Sequence, residues 1–290
     1  LGEGVGVASA CASATVVNAI AAGKGAAFGV DLRVQARVEL TENKKISGRV
    51  IGGKENPRLV EICVRRALEN MGLRKKLGAL VETSSDIPIA VGLSSSSAAA
   101  NASVLATFAA AGRKPEPRLV LDIGIDSAFE AGVTITGALD DAAASYYGHG
   151  VITDNLKRRI LKKFKVDPKL AVVIYVPSKK FYTSKTRIAS LEPIRELVES
   201  AHRMALSGDI WRALALNGLL YSTALGHDPL IAVTAMSQGA LAAGLTGTGS
   251  ATAAVAKSDK IAAILKVWHN WPGRIIITKP AVEGARVEGI

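Results

Sequence analysis

The feature that most limits how this chain can fold is the run Pro88 to Ala98, PIAVGLSSSSA, which passes directly into AAANASVLATFAAAG. A proline and a glycine punctuate the end of an extended segment, four serines follow, and strong helix formers take over. The spacing predicts a strand, a tight loop and a helix in immediate succession. The first turn of such a helix leaves its N–H groups unpaired, and the helix dipole places partial positive charge there. Backbone N–H groups and serine hydroxyls aimed at one spot favour an anion, a phosphate above all. Ser/Gly/Ala tracts also serve as flexible linkers, but the bracketing Pro88 and Gly92 and the helix formers beyond favour a built junction.

Around that junction the pattern is mixed. GKGAAFG (Gly23 to Gly29) reads as a loop, and VDLRVQARVEL (Val30 to Leu40) alternates as a strand with one buried face. Pro57 to Met71 fits a helix ended by Gly72, and LGALVETSSDIPIAVG is a second alternating strand. Helices are expected over Ser97 to Ala111 and Leu119 to Ala131, before the Gly-punctuated GVTITGALDDAAASYYGHGVI. KVDPK (Lys165 to Lys169) marks a boundary. Beyond it the pattern gives a buried strand LAVVIYV, helices near 191–206, 209–223 and 228–239, a glycine loop entering a short strand, a helix over Ile261 to Trp268 and a final strand GRIIITK. Strands and helices without regular alternation imply an α+β architecture in two parts, 1–165 and 166–290.

Charge and cysteine content narrow the class. Lys and Arg number 36 against 25 Asp and Glu, a net charge of +11, which suits phosphate-bearing ligands or nucleic acid. The basic residues concentrate at KRRILKKFK (Lys157 to Lys165) and at Arg65 to Lys76, both with helical spacing. Neither run carries the interleaved aromatics of a single-strand stacking platform. Cys11 and Cys63 are the only cysteines, so a disulfide framework or structural zinc site is not expected. No run of 18 apolar residues occurs, and the expectation is a cytoplasmic protein without a membrane partner.

Two familiar nucleotide loops are absent. Gly23-Lys24 is followed by Gly25, with Asn18 where a Walker A loop needs its first glycine, and GKGAAFG misses GxGxxG by one residue. GLTGTGSATAAV (Gly244 to Val255) is a second glycine loop; alone it reads as a tight turn, but it could close over the ligand of the serine junction. Glu130 near the end of a helix and the pair Asp140-Asp141 are the acidic candidates. Carboxylates near a phosphate loop can hold Mg²⁺ or take a proton from an attacking hydroxyl, and one of the aspartates could instead cap the helix AAASYY. The four histidines (His149, His202, His227, His269) are scattered.

Taken together these pieces resemble the GHMP kinases. Pro88, Gly92, Leu93 and Ser95 to Ala98 match the central signature, Leu245 to Ala251 looks like the third motif, and Gly137 to Asp140 looks like the Gly-x-x-Asp element with Glu130 ten residues upstream. The usual first motif is missing. In its place ASATVVNAIAAGKGAAFGVDL, with PIAVGLSSSSAAANA and ITGALDDAAAS, resembles the archaeal-type shikimate kinase branch. The resemblance implies a ribosomal-protein-S5-domain-2-like N-terminal part and a GHMP C-terminal α+β domain. It implies ATP and Mg²⁺ as cofactors and shikimate as the small-molecule partner, without nucleic acid. ATP would rest on Pro88, Ile89, Ala90, Val91, Gly92, Leu93, Ser94, Ser95, Ser96, Ser97 and Ala98, with Gly247 and Gly249. Ser96 and Glu130 would hold Mg²⁺, with Ser95 or Ser97 as alternatives to Ser96, and Asp140 would position or deprotonate the acceptor hydroxyl. Lys24, Lys185 and Arg187 are the candidates for the substrate carboxylate. Other implied readings are a homoserine- or mevalonate-type kinase and, on charge alone, a basic RNA-binding protein.

Overall fold

Two long antiparallel strands organise the first half. β1 (Val5–Val17) and β2 (Lys24–Thr41) pair along most of their length in a computed structural model that describes residues 4–53, 55–88, 91–178 and 191–289. The far half of β2 alternates as expected, with Val34, Ala36, Val38 and Leu40 buried. The near half overturns an expectation: GKGAAFG is not a loop, because from Lys24 onward it is strand, held between β1 and β5 (Gly150–Asp154). Its glycines serve close approach. A Cβ on Gly25 would lie 2.4 Å from Asp140 Oδ2, and one on Gly29 would lie 3.0 Å from Gly148.

The sheet continues through β4 (Gly78–Ser85) to β3 (Ile46–Val50), which runs parallel to β4. On the other branch β5 pairs with β6 (Arg159–Phe164). That strand corrects the helical reading of KRRILKKFK. Pairing with β5, and the Phe164 ring seated over Gly150, outweigh the helical spacing. Against the sheet lie α1 (Arg58–Asn70), α2 (Ser95–Ala110), α3 (Pro117–Ala131) and α4 (Leu139–Tyr147). The small side chains of α2 bury it nearly all round. A Cβ at Gly6 of β1 would meet the Ala106 carbonyl at 2.2 Å, so the helix lies almost on the strand.

The second half holds an antiparallel sheet, β10-β7-β9-β8, from β7 (Ala171–Pro177), β8 (Ala242–Leu245), β9 (Thr252–Ala256) and β10 (Gly273–Thr278). Its helices are α5 (Arg195–Ser207), α6 (Ile210–Leu225), α7 (Leu230–Ser237) and α8 (Ile261–Trp268). The expected division at 165/166 falls between the two sheets, yet packing runs across it. Phe28 meets Trp211 edge to face at 5.9 Å, and one buried cluster extends from Ala8 to Val255. The C-terminal residues then cross back. Ala281 N–H donates to Gly29, Ala285 N–H to Tyr146 and Glu288 N–H to Val7, and β11 (Arg286–Val287) closes the free edge of β1. Among the described residues no helix is long and apolar enough to cross a membrane.

Candidate active site

A cleft of about 490 Å³ opens where α2 and α4 begin and where both glycine loops meet, a size typical of small-molecule sites. The two loops interlock. Thr246 Oγ1 donates to the Gly92 carbonyl at 2.9 Å, and the Ala251 N–H donates to Val91 at 3.1 Å. Contact is so close that a Cβ on Gly92 would sit 1.9 Å from the Thr246 carbonyl oxygen, and one on Gly249 2.2 Å from Val91. Glycine is therefore required at both positions. β1 ties the pair down: Gly247 N–H donates to Thr15 Oγ1 at 2.8 Å, and Asn18 Nδ2 donates to the Gly247 carbonyl at 2.9 Å.

The expected residues divide clearly. Gly92, Ser94, Ser95, Ser96, Ser97, Gly247, Gly249 and Asp140 line the cleft. Val91, Leu93 and Ala98 are buried behind it, and Pro88 is half-buried outside the lining. Ile89, Ala90, Lys185 and Arg187 lie outside the described residues. Glu130 is corrected: it is not brought to the cleft. Helical phase points Ile125, Ala128 and Gly132 there instead, and the Glu130 carboxylate takes both Arg65 and Arg66 of α1. Desolvation, the largest single influence, is outweighed by the combined pull of the two guanidiniums, so its pKa is lowered from the ordinary carboxylate value. Lys24 is likewise absent from the lining. It projects from β2 opposite to Gly25, towards α5, with Nζ 3.6 Å from Glu199.

Neither aspartate caps α4. The helix starts at Leu139 after Ala138 in the left-handed region, so Asp140 and Asp141 both fall in the first turn. Asp140 is buried at the cleft and Asp141 is half-buried beside it. Burial pushes Asp140 up to about 7; the Asp141 charge adds to the rise and an Asn155 hydrogen bond opposes it. Asn155 Nδ2 reaches Asp140 Oδ1 at 2.8 Å. Burial also raises Asp141, opposed by the hydroxyls of Ser94 and Ser13. Ser13 donates to Asp141 Oδ1 at 3.0 Å. Ser94 Oγ is shut off from solvent and meets no partner in ordinary hydrogen-bond geometry.

A solvent-shielded hydroxyl beside a half-buried carboxylate, next to the first turn of α2, suits a divalent ion carried in on a phosphate. The described residues hold no group of three or more His, Cys, Asp or Glu able to bind a metal ion, but Mg²⁺ needs only one or two carboxylates beside phosphate oxygens. Asp141 and the serine hydroxyls meet that need. Sequence reasoning counted Asp141 among the acidic candidates but gave the metal to Glu130 and Ser96, because an aspartate at a helix start also looks like a cap. It missed Asn155 altogether, since nothing distinguishes an asparagine after a strand from a turn residue.

Comparison with known proteins places this geometry. Residues 58–149 match the model for the GHMP kinases N-terminal domain. The chain is 42% identical over 282 residues to the shikimate kinase of Methanothermobacter thermautotrophicus, covering 95% of each chain. It is 43% identical over 287 residues to that of Methanosarcina mazei, covering 97% of this chain and 96% of the other. In fold it is similar to homoserine kinase from Cytophaga hutchinsonii, with a TM-score of 0.74 at 20% identity over 98% of this chain and 97% of that one. It is similar too to the Methanococcus jannaschii mevalonate kinase, with a TM-score of 0.76 at 15% identity over 94% of this chain and 98% of that one.

Proposed function

The chain belongs to the GHMP kinases, and within them to the archaeal shikimate kinases; on that footing we propose that it transfers the γ-phosphoryl group of ATP to the 3-hydroxyl of shikimate. The observation that carries the acceptor is the near full-length likeness, about two residues in five, to shikimate kinases. The cleft supports the chemistry, because it sets a buried carboxylate opposite a helix start and two glycine loops.

Phosphoryl transfer asks a protein mainly for placement and charge stabilisation. The first turn of α2 offers unpaired N–H groups and the hydroxyls of Ser95, Ser96 and Ser97 to the phosphates. Gly92, Gly247 and Gly249 let backbone come within contact distance, with no side chain in the way. Asp140 takes the acceptor proton: the hydroxyl O–H bond breaks, its oxygen attacks the γ-phosphorus, and ADP leaves with the bridging oxygen. A carboxyl lifted to about 7 is a stronger base than an ordinary one and is still substantially ionised near neutral pH. Mg²⁺, held by Asp141 with Ser94 or its neighbours, would neutralise phosphate charge. Of the cations expected for the substrate carboxylate, Lys185 and Arg187 are kept in this reading, since Lys24 faces Glu199. Two buried unpaired cysteines fit a cytoplasmic setting.

The test is an ADP-release assay with shikimate, homoserine, mevalonate and galactose offered in parallel. Turnover with shikimate alone is expected. Turnover with another alcohol instead would leave the superfamily and remove the acceptor.

A further inference from the structure

Asp140 does not stand alone at the cleft floor; a buried polar chain reaches it from β5. Asn155, just past the end of β5, is 3% exposed, and Thr153 two residues earlier is fully buried. Asn155 Nδ2 donates to Asp140 Oδ1 at 2.8 Å, and its second amide hydrogen faces Thr136 Oγ1, in the cleft wall, at 3.4 Å. Its Oδ1 accepts from the Thr153 hydroxyl at 2.7 Å. The Asn155 backbone is fixed as well, its N–H donating to the Gly23 carbonyl at 2.9 Å. On the opposite side of the carboxyl, Gly25 leaves no room for a Cβ. The other carboxylate oxygen, Oδ2, is thus wedged against β2 while Oδ1 is held by an amide whose own orientation is set by a buried hydroxyl.

We propose that Asn155 is a positioning residue for phosphoryl transfer, acting through Asp140 and oriented by Thr153. This rests on the reading of Asp140 as the base. The chemistry explains the choice of an amide. A neutral donor fixes the carboxylate without cancelling its charge, whereas a lysine at the same place would hold it as a tight ion pair and weaken it as a base. α5 reinforces the arrangement from outside: buried His202 brings Nε2 within 3.2 Å of the Thr153 carbonyl, so the end of β5 is braced on both faces.

A double-mutant cycle on the full chain tests this, with kcat, the KM for ATP and for shikimate, and the melting temperature read on each variant. Asn155→Ala should lower kcat about 100-fold, the scale of a misplaced catalytic group, with the KM for ATP within about twofold because no ATP-side contact changes. In an Asp140→Asn background the same substitution should cost nothing further, since the group it orients is gone. Thr153→Val, nearly isosteric, should reproduce a smaller loss of kcat, and Thr153→Ser should restore it. Near-normal kcat in Asn155→Ala, or an undiminished effect on top of Asp140→Asn, overturns the role of Asn155 and leaves Asp140 untouched. Near-normal kcat in Asp140→Asn itself overturns both.

Discussion

Two helices start at the same cleft in the same way and do opposite work. α2 and α4 each follow a glycine with positive φ, Gly92 at 92° and Gly137 at 80°, and each is entered through a non-glycine residue in the left-handed region, Ser94 at 57° and Ala138 at 46°. Both first turns line the cleft. The first turn of α2 holds serines and no acid, while that of α4 holds Asp140 and Asp141. The shared backbone supplies partial positive charge in both places. Side chains then decide its use: α2 leaves it for an incoming anion, and α4 spends it on carboxylates that burial would otherwise discharge. In the proposed mechanism one device thus builds both the site that receives the phosphates and the site that takes the proton.

Breaking the acidic member should have the largest effect. Asp140→Asn is expected to lower turnover about 10²- to 10⁴-fold, the usual range for losing an acid–base group, with ATP binding by calorimetry nearly unchanged. Breaking the backbone of the other member comes next. Gly92→Ala drives a Cβ into the Thr246 carbonyl at a φ that side chains resist, so a loss of about 3 kcal/mol in chemical denaturation, together with weaker ATP binding, is expected.

A pH series sharpens the contrast, because only α4 carries groups that titrate. Burial raises Asp140 from 3.8 to about 7, so between those values the folded protein keeps a proton that the unfolded chain releases. Its contribution to stability is complete below about 4 and is lost as pH rises through 7. Melting of the ligand-free protein should therefore fall more between pH 6 and pH 8 for wild type than for Asp140→Asn. Equal slopes would mean that the carboxyl is ionised throughout. The smallest effect tests the strain: Ala138→Gly should relieve the left-handed entry to α4, stabilising by up to about 1 kcal/mol with activity retained. A destabilised variant would show that Ala138 is held there by contacts a glycine lacks.

What could be read in the sequence follows the same contrast. The α2 junction was legible because its signal is local: a proline, a glycine, a serine run and helix formers lie within a few residues. The second glycine loop was legible as a partner for it, and the structure brings the two into contact. The pair Asp140-Asp141 was legible as acidic candidates, but choosing Asp140 from it rested on a resemblance, since either aspartate at a helix start looks like a cap. Glu130 failed for a reason of phase. Its distance in sequence from Asp140 is as expected, but the turn of α3 aims it at Arg65 and Arg66, and sequence spacing does not show a helix's outward face. GKGAAFG was misread because glycine in a strand signals close approach as well as a turn, and the neighbour it approaches, Asp140, lies more than a hundred residues away. Asn155 was invisible because its meaning lies wholly in what it touches.

The C-terminal segment bears on how the protein is made. Strand β1 is synthesised long before β11, which covers its outer edge, and Gly29, Tyr146 and Val7 receive their backbone partners from Ala281, Ala285 and Glu288. On the ribosome the first sheet therefore waits for residues 281–288 with an open edge and unpaired carbonyls, exposed to pairing with other nascent chains. Emergence of residues 281–288, rather than of any helix, is what closes the fold that holds the cleft.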